Sequence, residues 1–218
     1  MIDRTLVLWC PPDPTARGHR LLTAGDRERA DCFRLTVDAD RYLTARVLAR
    51  RAGAAWLGID ATDVRVDVES EGRPFLVDGA GLPLAAHLSI THAGDLVGVA
   101  VAALPVGLDV QDVPALAHVL DSDLVWTATE LADLARLAPT PRLTTAAAWW
   151  TAKEAVLKSL GRGLLERPEE LEIRSSDVSW RSLEVAPGHA AALATAEAEA
   201  LVATERRLAG INRPIRPD

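Results

Sequence analysis

Residues 87–113, HLSITHAGDLVGVAVAALPVGLDVQDV, contain three strand-like runs in succession: HLSITH (87–92), LVGVAVAAL (96–104) and VGLDVQDV (106–113). The turn Ala93-Gly94-Asp95 and then Pro105 separate them. Strands linked this tightly are expected to pair antiparallel, because a parallel crossover needs a dozen residues or more. Side chains alternate along a strand, so Leu108 and Val110 share one face while Asp109 and Gln111 present two polar oxygens on the other. Outward from this block, residues 5–9, 64–68, 171–174, 178–185 and 190–195 also read as strands, and 71–83 as loop. Helices are expected at 40–57 with a stop at Gly58, at 123–136 broken by Pro139 and Pro141, at 144–160 capped by Thr144 or Thr145, and at 196–209. The order predicts an α+β protein in two halves, 1–105 and 106–218, joined near Pro105. Sequence identity between the halves is too weak to establish a duplication.

The composition narrows the function classes. With 218 residues, 49% hydrophobic and 25% charged, the chain is of ordinary globular type, not disordered, collagenous or coiled coil. A net charge of −7 gives no argument for nucleic-acid binding. The distribution is uneven: residues 1–58 hold ten arginines and seven acids, so a basic surface for a small anion is available on an acidic chain. No apolar run is long enough to span a membrane, and the opening Thr5–Cys10 run is too short for a secretory core. Cys10 and Cys32 lack metal or redox spacing, which points to a reducing cytoplasm.

Chemistry concentrates in Trp149-Trp150-Thr151-Ala152-Lys153-Glu154-Ala155-Val156-Leu157-Lys158. On a helix Trp150, Glu154 and Lys158 share a face, with Lys153 about 100° away. A surface Glu–Lys pair would look the same. Yet the chain has 22 arginines and only these two lysines, and an ordinary surface pair has no need of lysine. Asp109 meeting Glu154, with the Gln111 amide oxygen, would suit a hard octahedral cation such as Mg²⁺. Thr91 and His92, before the reversal at Gly94, could hydrogen-bond a phosphate; a lone His at a strand end is more often a partly buried structural residue. Gly72-Arg73-Pro74 fixes one more basic residue. There is no G-x-S-x-G elbow, Walker loop, G-x-G-x-x-G or H-E-x-x-H.

Taken in order, these segments resemble the surfactin-type 4′-phosphopantetheinyl transferases over roughly residues 26–195. The family pattern W-x-x-K-E-A-x-x-K is matched by Trp150, Lys153, Glu154, Ala155 and Lys158, with the trailing G-x-G at Gly161 and Gly163. Gly107 to Gln111 is similar to the family's G-[IV]-D-[IV]-E strand, Ser89 to Gly94 to its S-x-[ST]-H-x-G turn, and Gly72 to Pro74 to its G-[KR]-P loop. The resemblance implies a pseudo-twofold pair of similar halves, each a small antiparallel sheet packed on a long helix, with coenzyme A and Mg²⁺ in the cleft between them. It implies transfer of 4′-phosphopantetheine to a serine of an apo acyl or peptidyl carrier protein, with release of 3′,5′-ADP, by a monomer with no nucleic-acid or membrane partner.

By the same resemblance Asp109, Glu154 and Lys158 are catalytic. Asp109 and Glu154 bind the metal, with Gln111 as third donor where many members carry an acid, and Lys158 binds the pyrophosphate. Thr91 and His92 bind phosphates, Arg73 and Pro74 border the adenine, and Lys153 sits at the cleft wall. Arg41 holds the 3′-phosphate, with Arg27 and Arg29 as further basic residues for it. Glu154 accepts the serine proton, directly or through a water. The carriers served are those of fatty-acid, polyketide or peptide synthesis, docking on an apolar groove lined from 110–140. The neutral Gln111 leaves an alternative: a non-catalytic coenzyme A or carrier-protein binding module.

Overall fold

Leu6, Leu8 and Cys10 face one way along the first strand and Val7 and Trp9 the other, all buried, so this strand needs cover on both sides. That demand sets the architecture. A computed structural model describes residues 5–161, 167–197 and 203–212. The first sheet has the order β4 (His87–Ala93), β5 (Leu96–Ala102), β1 (Thr5–Cys10), β9 (Ala203–Arg207), with β9 parallel to β1 and the other pairs antiparallel. Helix α2 (Thr36–Leu57) covers one face, packing Leu43, Val47 and Leu48 on Leu6, Leu8, Val97, Val99 and Val101. It follows α1 (Ala24–Asp31), which begins in a Thr23–Asp26 capping box. Gly58 ends α2 in the left-handed conformation, φ 70°.

The opposite face, with Val7, Trp9 and Ala100, packs on a second sheet through Val106, Leu108, Val110 and Leu193. That sheet is antiparallel in the order β6 (Val106–Asp112), β8 (His189–Thr195), β7 (Ser179–Leu183). Its outer face carries α4 (Pro139–Ser159), whose Ala152, Ala155 and Val156 meet Ala192 and Ala194. The layers therefore run helix, sheet, sheet, helix. A separate hairpin, β2 (Arg65–Val68) with β3 (Pro74–Val77), lies beside the first sheet, and α3 (Ala128–Leu134) stands at the N-terminal end of α4.

Several expectations are corrected. The third run of the 87–113 block does not pair with the second: β6 leads the other sheet. It runs parallel to edge strand β4, joined to it by side chains, with Leu108 N–H donating to Ser89 Oγ at 2.9 Å and Val110 N–H to Thr91 Oγ1 at 3.1 Å. Residues 71–83 include β3, and 203–207, read as helix, form β9. Helix α4 starts five residues before 144 because Pro139 and Pro141 sit in its first turn, where the missing N–H bonds are absent anyway. Its N-cap is Ala138, not Thr144 or Thr145. Gly163 and residues 198–202 lie outside the described residues.

Candidate active site

Strand alternation turns Asp109 to the outer face of β6, beneath α4. Two residues earlier on that face stands Gly107, where a methyl group would collide with Ala155 O. The absence of a side chain lets the helix backbone settle on the strand, and the last turns of α4 then cross Asp109. Lys158 Nζ bonds Asp109 Oδ1 at 2.6 Å and Leu108 O at 3.1 Å. Thr91 Oγ1 donates to the same carboxylate oxygen at 3.1 Å, and Gln111 Nε2 to Oδ2 at 3.0 Å. Asp109 is 3% exposed and thus fixed by three donors from three elements.

Glu154, one turn before Lys158, lies close enough to Asp109 for the two carboxylates to repel. Burial first, and then Asp109, raise the Glu154 pKa above the ordinary glutamate range, while Lys158 opposes the rise. Glu154 and Lys158 line a cleft of about 350 Å³ with Arg73, Pro74, Ser89 and Ile90. Arg73 reaches from the hairpin to the end of α4 and lies over Gly161, so the cleft lies between the hairpin, β4 and α4. At the other side His92 is held below the ordinary histidine range by enclosure of its ring and by the charges of Arg41 and Lys158. Arg41 itself is anchored by Gly94 O, which accepts from Nε at 3.0 Å and Nη2 at 2.6 Å, and by Asp38 at 2.8 Å.

Of the expected residues, Arg73, Pro74, Glu154 and Lys158 line the cleft; Asp109 lies buried behind it on Lys158, Gln111 is bonded to Asp109, and His92 feels the charges of both Lys158 and Arg41. Four expected residues are placed differently. Lys153 is fully buried on the far side of the helix, bonded to Glu130 Oε2 at 2.5 Å, Val125 O at 2.9 Å and Pro168 O at 2.8 Å, with the Trp126 ring 5.5 Å away. The 100° offset from Glu154 carries it into the core instead of to the cleft wall. Thr91, expected on a phosphate, is 4% exposed and its hydroxyl serves Asp109 and Val110. Arg27 donates to four main-chain carbonyls, those of Arg17, His19, Leu22 and Thr23, and Arg29 lies 5.6 Å from the centre of the Phe33 ring; neither lines the cleft.

Sequence reasoning gave Ser89 no role of its own within its motif and missed Glu130. Ser89 shares the strand face of Thr91, and the S-x-T alternation is the signal that both hydroxyls point to one neighbour. Glu130 is signalled only as the fourth residue of the capping box Thr127–Glu130. Its Oε1 also accepts from Ile173 N–H at 3.1 Å, tying the start of α3 to the segment after α4.

A family model described as 4′-phosphopantetheinyl transferase superfamily matches residues 105–208, and one described as 4′-phosphopantetheinyl transferase, N-terminal, matches residues 9–104. The chain is 28% identical to a 4′-phosphopantetheinyl transferase of Bacillus subtilis over 77% of this chain and 73% of that protein. It is 26% identical to the 4′-phosphopantetheinyl transferase Sfp of Bacillus subtilis strain 168, over 75% and 70% of the two chains. The same identity, over 76% and 68%, relates it to the 4′-phosphopantetheinyl transferase psf-1 of Bacillus pumilus. Matched from residue 9 to residue 208 by two models of one kind, and built around the cleft just described, the chain belongs to the 4′-phosphopantetheinyl transferase superfamily as a surfactin-type enzyme.

Proposed function

We propose that the chain transfers the 4′-phosphopantetheine group of coenzyme A to a serine hydroxyl of an apo acyl or peptidyl carrier protein, releasing 3′,5′-ADP. The observation that carries this reading is the meeting of Asp109, Glu154 and Lys158, the last two lining a cleft with the cation Arg73, while His92 lies within the field of both Lys158 and Arg41. Coenzyme A carries anionic charge at two places, its diphosphate and its 3′-phosphate, and a planar adenine beside them. Lys158 lies where a diphosphate in the cleft would need a counter-charge, and Arg41 and His92 suit the 3′-phosphate. Arg73 and Pro74 present a flat, partly apolar border for the base.

In the reaction the serine oxygen bonds to the β-phosphorus while the bond from that phosphorus to the oxygen bridging to 3′,5′-ADP breaks. The serine proton passes to Glu154, whose raised pKa makes it a stronger acceptor than an ordinary carboxylate. Lys158 stabilises the charge that grows on the departing phosphate. Among the described residues no three His, Cys, Asp or Glu side chains gather to hold a metal. The oxygen donors present are Asp109, Glu154 and the Gln111 amide oxygen, left over after its NH₂ group turns to Asp109. Two repelling carboxylates and a neutral oxygen are the hard donor set that Mg²⁺ takes. When bound there, the ion supplies positive charge to the diphosphate oxygens.

The helix–sheet–sheet–helix layering supports a pseudo-twofold arrangement of halves 1–105 and 106–218, broken by β9 of the second half joining the first sheet, and the two family models meet between residues 104 and 105. Incubation with apo carrier protein, coenzyme A and Mg²⁺ should raise the carrier mass by one phosphopantetheine, and a chelator should stop it. Coenzyme A binding with no change in carrier mass across a panel of carriers would instead establish the non-catalytic binding module.

A further inference from the structure

His189, the first residue of β8, stands opposite Asp112 of β6 and reaches across the junction of the two sheets to the β4–β5 turn. Its side chain is 9% exposed, and both ring nitrogens are buried without a hydrogen-bond partner among the described residues. Asp95 Oδ1 is 3.4 Å from Nε2, in range of an ion pair but not aligned for a hydrogen bond. A buried imidazole with neither nitrogen satisfied is an unfavourable placement that calls for an account. Its neighbour supplies one. Gly94 has φ 54°, and a methyl group on it would stand 2.8 Å from His189 Nε2, so the ring edge is seated directly against the glycine. The carbonyl of that same glycine is the acceptor for Nε and Nη2 of Arg41.

We propose that His189 is a positioning residue that acts through Gly94: its ring is a wedge from the second sheet that sets the β4–β5 turn, and the turn carbonyl aims the Arg41 guanidinium at the ligand's outlying phosphate. The inference rests on the reading of Arg41 as the 3′-phosphate contact. It differs from that reading in making recognition of the phosphate depend on a residue that touches no ligand and belongs to the other half of the chain. Shape, more than a proton, is what the wedge contributes, since neither nitrogen is bonded.

The test is steady-state transfer with coenzyme A and with 3′-dephospho-coenzyme A. Arg41→Ala should remove most of the preference for coenzyme A by raising its KM about tenfold or more, the loss expected for one charge-assisted contact. His189→Ala should raise the KM for coenzyme A about five- to tenfold, leave the KM for the dephospho compound in place and leave kcat at saturation within about twofold. His189→Leu, which keeps a wedge of similar width, should recover most of the preference. In the Arg41→Ala background His189→Ala should add nothing further, because both act on one contact. An unchanged preference in His189→Ala, or equal KM increases for both substrates, overturns the inference while leaving the Arg41 reading intact. An unchanged preference in Arg41→Ala overturns that reading and the inference with it. If His189→Ala does not fold, the Leu variant decides: failure to retain the preference in a folded His189→Leu protein also overturns the wedge.

Discussion

At the residue scale, two charged groups on adjacent positions of one helix have opposite lives. Glu154 is a carboxylate set beside another carboxylate and partly withdrawn from water, so its charge is disfavoured in the folded protein. A folded pKa above the unfolded one means that its contribution to stability is fully present in acid, below the unfolded value, and is lost as the pH rises through the folded value. Glu154→Gln should therefore raise the melting temperature at pH 7 relative to the parent, with the gap closing as the pH falls through the carboxylate range. The same substitution should lower kcat by about a hundredfold or more, since it removes the proposed proton acceptor. Thermal scans at several pH values alongside transfer assays check both halves of this outcome. Lys153, by contrast, is fully buried and satisfied by Glu130 and two carbonyls. Lys153→Met leaves the Glu130 charge buried without its counter-charge and should cost about 3–5 kcal/mol in urea titrations. Adding Glu130→Gln should recover part of the loss.

At the element scale the determinant is how closely α4 approaches β6. Gly107→Ala places a methyl group against Ala155 O, which is backbone and cannot swing aside. The helix must lift from the strand, so the expected outcome is a loss of about 1–3 kcal/mol from overpacking, together with failure to seat Lys158 on Asp109. Chemical denaturation and turnover of the folded fraction measure the two effects. Much of this element was legible beforehand. The face alternation of Leu108/Val110 against Asp109/Gln111 and the shared helix face of Glu154 and Lys158 follow from period alone, and both hold in the structure. What was hidden depended on distant partners. The strand Ala203–Arg207 reads ATERR, a helix-forming composition overridden by parallel pairing with buried β1. Strand β3 is four residues long and sits among glycines and prolines, too short for periodicity to register. The pairing of β6 with β8, some 80 residues on, took precedence over its neighbour in sequence. The burial of Lys153 rests on Glu130, which lies outside the motif that drew attention to the lysine.

At the scale of the whole molecule, the site straddles two sheets whose meeting edges are unlike the rest of the fold. Within each sheet, strands are held by runs of main-chain hydrogen bonds. Between β4 and β6 the bonds are instead those that the Leu108 and Val110 N–H groups donate to the Ser89 and Thr91 hydroxyls, and Thr91 also donates to Asp109. Two hydroxyls stitch a seam that a continuous sheet would close with its backbone. Under rising urea the seam should part first, so coenzyme A binding and turnover should vanish at a lower concentration than far-ultraviolet circular dichroism. Thr91→Val, which strips one stitch, should widen that interval at a cost of about 1–3 kcal/mol. Coincident transitions in both probes would show the seam to be as strong as the sheets it joins. With the proposed reaction groups set along such a seam, mild stress would silence the chemistry while most of the architecture still stood.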